Sequence, residues 1–135
     1  MREILFRGKR VDNGNWENGS VVFLRKGTSE EKAFIADKMT AYHTPVVSDS
    51  IGQYTGLTDK NGTKIFEGDI VQYELHDIRN RAVIKYGAPK EDSFCYGWYL
   101  DDNNGNTSFL FCKNFIKGYN CQVIGNIHDN SYLLK

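Results

Sequence analysis

Several things are scarce in this sequence, and each shortage narrows the reading. Only two prolines, Pro45 and Pro89, occur in 135 residues, and both are read as lying between strands. The cysteines, Cys95, Cys112 and Cys121, are three in number and form no C-x-x-C pair; neither a disulfide framework nor a structural zinc site fits that spacing. An excess of charge of one sign is missing too. Lys plus Arg equals Asp plus Glu at 17 each, which leaves no broad electrostatic footprint for nucleic acid or an anionic membrane, though a local patch stays open. No apolar run approaches bilayer-spanning length. The start, Met1-Arg2-Glu3-Ile4-Leu5-Phe6-Arg7, has only three consecutive apolar residues, too few for a signal-peptide core. These absences lead us to expect a cytoplasmic protein with no membrane contact.

What is present is a β pattern. Hydrophobic residues make up 40% and aromatic residues 13%, enough to bury a core in one domain spanning 1–135, with 129–135 as a tail. Ile4-Leu5-Phe6 opens a strand that stops before the turn Asp12-Asn13-Gly14-Asn15. Ser20 to Arg25 is β-branched and aromatic, and Lys32 to Met39 reads as a strand in preference to a short helix. Val46-Val47 and Ile51 to Tyr54 follow, with Pro45 read as lying between strands. Asp69 to Leu75 alternates Val71, Tyr73 and Leu75 against Gln72 and Glu74, and Arg81 to Tyr86 follows it. Ser93 to Leu100 and Thr107 to Cys112 flank the turn Asn103-Asn104-Gly105-Asn106; Gln122 to Ile127 is the last strand, and Asn130 to Lys135 is a helical turn or tail. Short strands between Gly and Asn turns, with little helix, predict a mainly β barrel or sandwich, or a β-rich α+β variant.

The densest pattern is Ile51 to Val71, "IGQYTGLTDKNGTKIFEGDIV". A P-loop needs Gly-Lys-Ser/Thr before a helix, but Gly62-Thr63-Lys64 has the wrong order and no helical pattern follows. A calcium loop needs Gly at its sixth position, whereas Asp59-Lys60-Asn61-Gly62 places it at the fourth. A hairpin fits better: Asp59 starts a turn, and Asn61-Gly62 supplies the positive φ. Gly68 and Asp69 redirect the chain into the next strand, with Asp69 bonding to nearby backbone N–H groups. His43, His76 and His128 stand too far apart in sequence for a helical metal pair, and no Gly-x-Ser-x-Gly elbow occurs. No metal, cofactor or catalytic residue is expected.

Phe94, Tyr96 and Trp98 share one strand face by period two. Rings on a sheet can stack bases or hold a partner. Glu91-Asp92 and Asp101-Asp102 bracket the strand with acid, so packing is favoured over nucleic-acid binding, and the three rings are the candidate binding face.

The stretch 51–71 also resembles the signature of the YopX family of phage and prophage proteins. Ile4-Leu5-Phe6-Arg7-Gly8-Lys9-Arg10, followed by Trp16 and Gly19-Ser20, resembles that family's opening, and Val123-Ile124-Gly125-Asn126-Ile127-His128-Asp129-Asn130 its closing segment. His128 stands where the family usually has Tyr, and Ser131-Tyr132 where it often has Pro-Glu, departures confined to the tail. The resemblance implies a small SH3-like β-barrel with additional strands, encoded by a phage or prophage and working in a bacterial host. It implies no chemistry. The expected role is a binding or homo-oligomeric assembly module for an unknown protein partner, with single-stranded nucleic-acid binding as the alternative and an enzyme third.

Overall fold

A computed structural model describes residues 3–25, 31–37, 39, 42–87, 96–102 and 108–134, with 108 and 109 in backbone only. Of the described residues 56% are in strands and 12% in helical turns, so the protein is mainly β. The strands form two antiparallel sheets, in the orders β4-β3-β2-β1-β5-β6 and β10-β9-β8-β7-β11. The chain divides into two compact units, Met1–Tyr54 and Thr55–Lys135.

In the first unit, β1 (Phe6–Lys9), β2 (Trp16–Leu24), β3 (Lys32–Ala36) and β4 (His43–Val46) pair in succession. The β1–β2 turn is held by Asn13, whose Oδ1 accepts the Asn15 N–H at 2.9 Å, and by Gly14 at φ +74°. Arg10 braces this turn from the side, donating to both Asp12 oxygens and to Glu17. Ala33, Ile35 and Val46 are buried, with Phe6, Val21 and Ile51 packed on them. This is the alternation expected of half-buried strands. Gly19 is required by close approach, since a Cβ there would overlap the Ala36 carbonyl oxygen.

Pro45 lies inside β4, opposite Phe34, rather than between strands. A proline has no N–H to donate, and β4 tolerates one because only one of its sides carries a full ladder. On the other side a single bridge joins Arg10 to Val46, and there the Pro45 carbonyl accepts the Val11 N–H. Pro89 lies outside the described residues.

β5 (Gly52–Thr58) crosses from the first unit into the second, pairing with β1 through Gly52 and Gln53. The second unit continues with β6 (Lys64–Phe66), β7 (Asp69–Leu75), β8 (Ile78–Gly87), β9 (Gly97–Asp101), β10 (Ser108–Leu110), α1 (Lys113–Gly118) and β11 (Gln122–Asn126). β7 and β8 are joined by His76-Asp77, both at positive φ (+52° and +62°), which is the backbone of a two-residue type I′ hairpin. The core comprises Ile65, Val71, Tyr73, Ala82, Ile84, Leu100, Phe111, Phe115, Ile116 and Cys121.

The helix α1 lies between the expected strands Thr107 to Cys112 and Gln122 to Ile127, in a stretch to which the sequence pattern assigns no element. It ends in a Schellman arrangement, with Asn120 at φ +54° and the Cys121 N–H donating to the Ile116 carbonyl at 3.2 Å. The closed barrel implied by the family resemblance is not formed among the described residues. Both sheets have free ends in their strand orders, β4 and β6 in one and β10 and β11 in the other. No helix among the described residues is long and apolar enough to cross a membrane.

Candidate functional site

The signature stretch is built around Asp59. This carboxylate is 6% exposed. Its Oδ1 accepts the N–H groups of Asn61 and Thr63, each at 2.9 Å, and its Oδ2 accepts the Val123 N–H at 2.9 Å. One side chain thus closes the β5–β6 turn and ties it to β11. The turn has Asn61 and Gly62 exposed, Gly62 at φ +82°, and the Gly62 N–H donating to the Asp59 carbonyl.

Further along, Gly68 at φ +90° donates its N–H to the Ile84 carbonyl and accepts the Ile127 N–H, both at 2.9 Å. Asp69 is 2% exposed and accepts the Phe66 N–H at 2.7 Å. The carboxylates of Asp59 and Asp69 are therefore spent on backbone N–H groups. The flanking blocks do similar work. Arg7 lies 4.6 Å over the Trp16 ring, and Asn126 Oδ1 accepts the N–H groups of His128 and Asp129.

A different surface carries exposed apolar area. Of the predicted face, Phe94 lies outside the described residues. Trp98 is partly buried and packs against the second unit's core, whereas Tyr96 is 72% exposed. Between them stands Tyr86, 55% exposed and opposite Trp98 in the β8–β9 ladder. Its ring meets Trp98 at 4.9 Å and 66°, and Tyr96 at 5.5 Å and 87°. Edge-to-face contacts of this kind favour the ring quadrupoles. The three rings form a preordered ledge at the margin of the core. Tyr86 was absent from the predicted set, although Ala82, Ile84 and Tyr86 share a face by period two and pointed to it.

The profile described as YopX protein matches residues 5–135. The chain belongs to the YopX family. No curated protein matches it. Among solved structures, the crystal structure of protein EF1440 from Enterococcus faecalis is similar over the whole of both chains, with 25% identity and a TM-score of 0.60. In this YopX chain the carboxylates of Asp59 and Asp69 accept backbone N–H groups, and Gly62 and Gly68 take positive φ.

Nucleophiles and metal ligands in this YopX protein are dispersed. Among the described residues no group of three His, Cys, Asp or Glu side chains is placed to hold a metal ion. Cys121 is fully buried, and burial, followed by the charge of Asp59, pushes its thiol up to about 12. That removes thiolate character at neutral pH. Cys112 is exposed at the start of α1, and Cys95 lies outside the described residues. Burial likewise raises the Tyr73 hydroxyl, helped by Asp102 and Cys121. Phe111 and Phe115 are core rings, with Phe115 meeting Tyr73 at 5.2 Å and Tyr119 at 4.7 Å.

Proposed function

We propose that the protein is a binding module that engages a protein partner, or a second copy of itself, through the ledge of Tyr86, Tyr96 and Trp98. The observation that carries this reading is the combination of ring order with exposure. The rings already fix one another edge to face while Tyr86 and Tyr96 present about half or more of their surface to solvent. Aromatic rings held before contact give large apolar area at little further entropic cost.

The second unit supports an SH3-like reading. Its five-stranded sheet, β11-β7-β8-β9-β10, places the last strand, β11, beside β7, the earliest strand of that sheet, with the short helix α1 just before β11. Aromatic-lined grooves in folds of that type take extended peptides. We read residues 1–135 as one YopX domain, with 129–135 as its appendage. It is encoded by a phage or prophage and acts in the cytoplasm of a bacterial host. The same rings would also stack bases, but the zero net charge of the chain favours a protein partner.

The test pairs the parent protein with Tyr96→Ala in sedimentation velocity and in a selection from displayed peptides. We expect self-association or peptide binding in the parent that Tyr96→Ala weakens by about 1–3 kcal/mol, the range for a central aromatic contact. A parent that stays monomeric and selects no peptide that Tyr96→Ala loses overturns the reading. Oligothymidylate binding that falls steeply with salt and is lost in Tyr96→Ala would transfer the surface to single-stranded nucleic acid.

A further inference from the structure

Away from the rings of the ledge, a second surface of the same unit gathers positive charge. A cleft of about 410 Å³ is lined by Asp59, Lys60, Lys113, Ile116, Lys117 and Asn120 among others. Lys113 and Lys117 lie four residues apart on α1 and so share a face, while Lys60 arrives from the β5–β6 turn. All three lysines are exposed. Three lysines against one aspartate give the lining a formal charge of 3 − 1 = +2, in a chain whose net charge is zero.

Two features make this more than a solvated basic surface. First, among the described residues no ion pair ties Lys60, Lys113 or Lys117 to a carboxylate. Other cations of the chain do have acid partners, such as Arg10 with Asp12 and Glu17, and Lys85 with Asp101. Second, the one carboxylate in the cleft is committed elsewhere, its two oxygens taken by the N–H groups of Asn61, Thr63 and Val123. Like charges four apart on a helix repel, and Asp59 is the one carboxylate lining the cleft to offset three ammonium groups.

We propose that this cleft binds a phosphate group. Ammonium groups are compact charges with three donors each. Three of them exceed what the single charge and two oxygens of one carboxylate can satisfy. A phosphate monoester carries between about −1.5 and −2 charge near neutral pH and has three strong acceptor oxygens. The Asn120 amide adds a neutral donor, and buried Ile116 offers apolar surface to whatever the phosphate is attached to. The volume falls within the usual range for small-molecule sites. The chemistry fits both a free nucleoside monophosphate and the terminal phosphate of a nucleic-acid strand. The site does not depend on the ledge.

The experiment is a ¹⁵N–¹H NMR titration at constant ionic strength with three probes: inorganic phosphate, thymidine 5′-monophosphate and a 5′-phosphorylated oligothymidylate. Saturable shifts are expected at the amides of Lys60, Lys117 and Asn120. Affinity should fall at least about tenfold in Lys113→Gln/Lys117→Gln, and separately in Lys60→Gln, because charge-assisted contacts are lost. Saturation by the mononucleotide assigns a free phosphate ester, and saturation by the oligonucleotide alone assigns a strand end; either supports the site. The proposal is overturned if none of the probes saturates, or if the lysine variants respond as the parent does. Because the replaced side chains are exposed and carry no ion pair, both variants should melt like the parent, which validates the comparison.

Discussion

In Asp59→Ala the N–H groups of Asn61, Thr63 and Val123 lose their acceptor. The three losses are unequal. Asn61 and Thr63 are exposed, so water takes the place of the carboxylate, and each loss is worth about 0.5–1 kcal/mol. Val123 is half-buried on β11, and a bond to a charged acceptor there is worth about 1.5–3 kcal/mol. The total is about 2.5–5 kcal/mol, a large share of the stability of a small domain. Asp59→Asn separates the contributions. Its remaining carbonyl oxygen can serve the two turn N–H groups, while its NH₂ then faces the Val123 N–H, donor against donor. This variant should lose about 1.5–3 kcal/mol, nearly all from the tie to β11. Urea unfolding followed by tryptophan fluorescence gives the midpoints, and hydrogen exchange at the Val123 amide gives the local effect. If Asp59→Ala unfolds at the parent's midpoint, or Val123 keeps its protection in either variant, the framework role assigned to this carboxylate is refuted.

Gly19→Ala should destabilise by about 1–3 kcal/mol through overpacking, because the new Cβ would press on the Ala36 carbonyl oxygen; a thermal melt matching the parent would contradict the close approach of β2 and β3. Trp98→Ala should cost about 2–3 kcal/mol, below the loss for a fully buried ring, whereas Tyr96→Ala should stay within about 0.5 kcal/mol as exposed sites do; equal losses in paired urea melts would refute the placement of these rings. Cys121 makes stability depend on pH on the alkaline side. Its unfolded thiol ionises near about 8.5, while burial and the Asp59 charge hold the folded thiol to about 12. Between those values the unfolded chain binds fewer protons, so stability falls as pH rises, by up to about 1.4 kcal/mol per pH unit. Urea midpoints measured upward from about pH 8 should therefore fall more steeply for the parent than for Cys121→Ala, and parallel slopes would count against it.

The sheet was legible wherever one face of a strand is buried and the other wet. Val71 and Tyr73 are buried while Gln72 is intermediate and Glu74 exposed, so period two announced β7 directly. The helix α1 was not legible, because its buried residues, Phe115 and Ile116, are adjacent, and six residues are too few to display a 3.6 period. Pro45 misled because a strand with a ladder on one side forgives a missing donor, and sequence does not say which strand stands at an edge. At the candidate site, Tyr96 and Trp98 were found by alternation, but the same alternation cannot tell a ring over the core from a ring at its margin. The long-range bond from Asp59 to Val123, across 64 residues, leaves no local signal at either end.

That bond also bears on how the protein is made. β7 has β11 as one of its two sheet partners, with Val71 opposite Val123, and the signature turn is locked only when the same segment arrives. During synthesis the signature leaves the ribosome well before its clasp does, and for that interval β7 presents an unpaired edge holding Val71 and Tyr73. Closure over so many residues is slow compared with hairpin formation. A nascent or truncated chain that stops short of residue 123 is therefore the species most exposed to pairing with its own kind or to capture by chaperones.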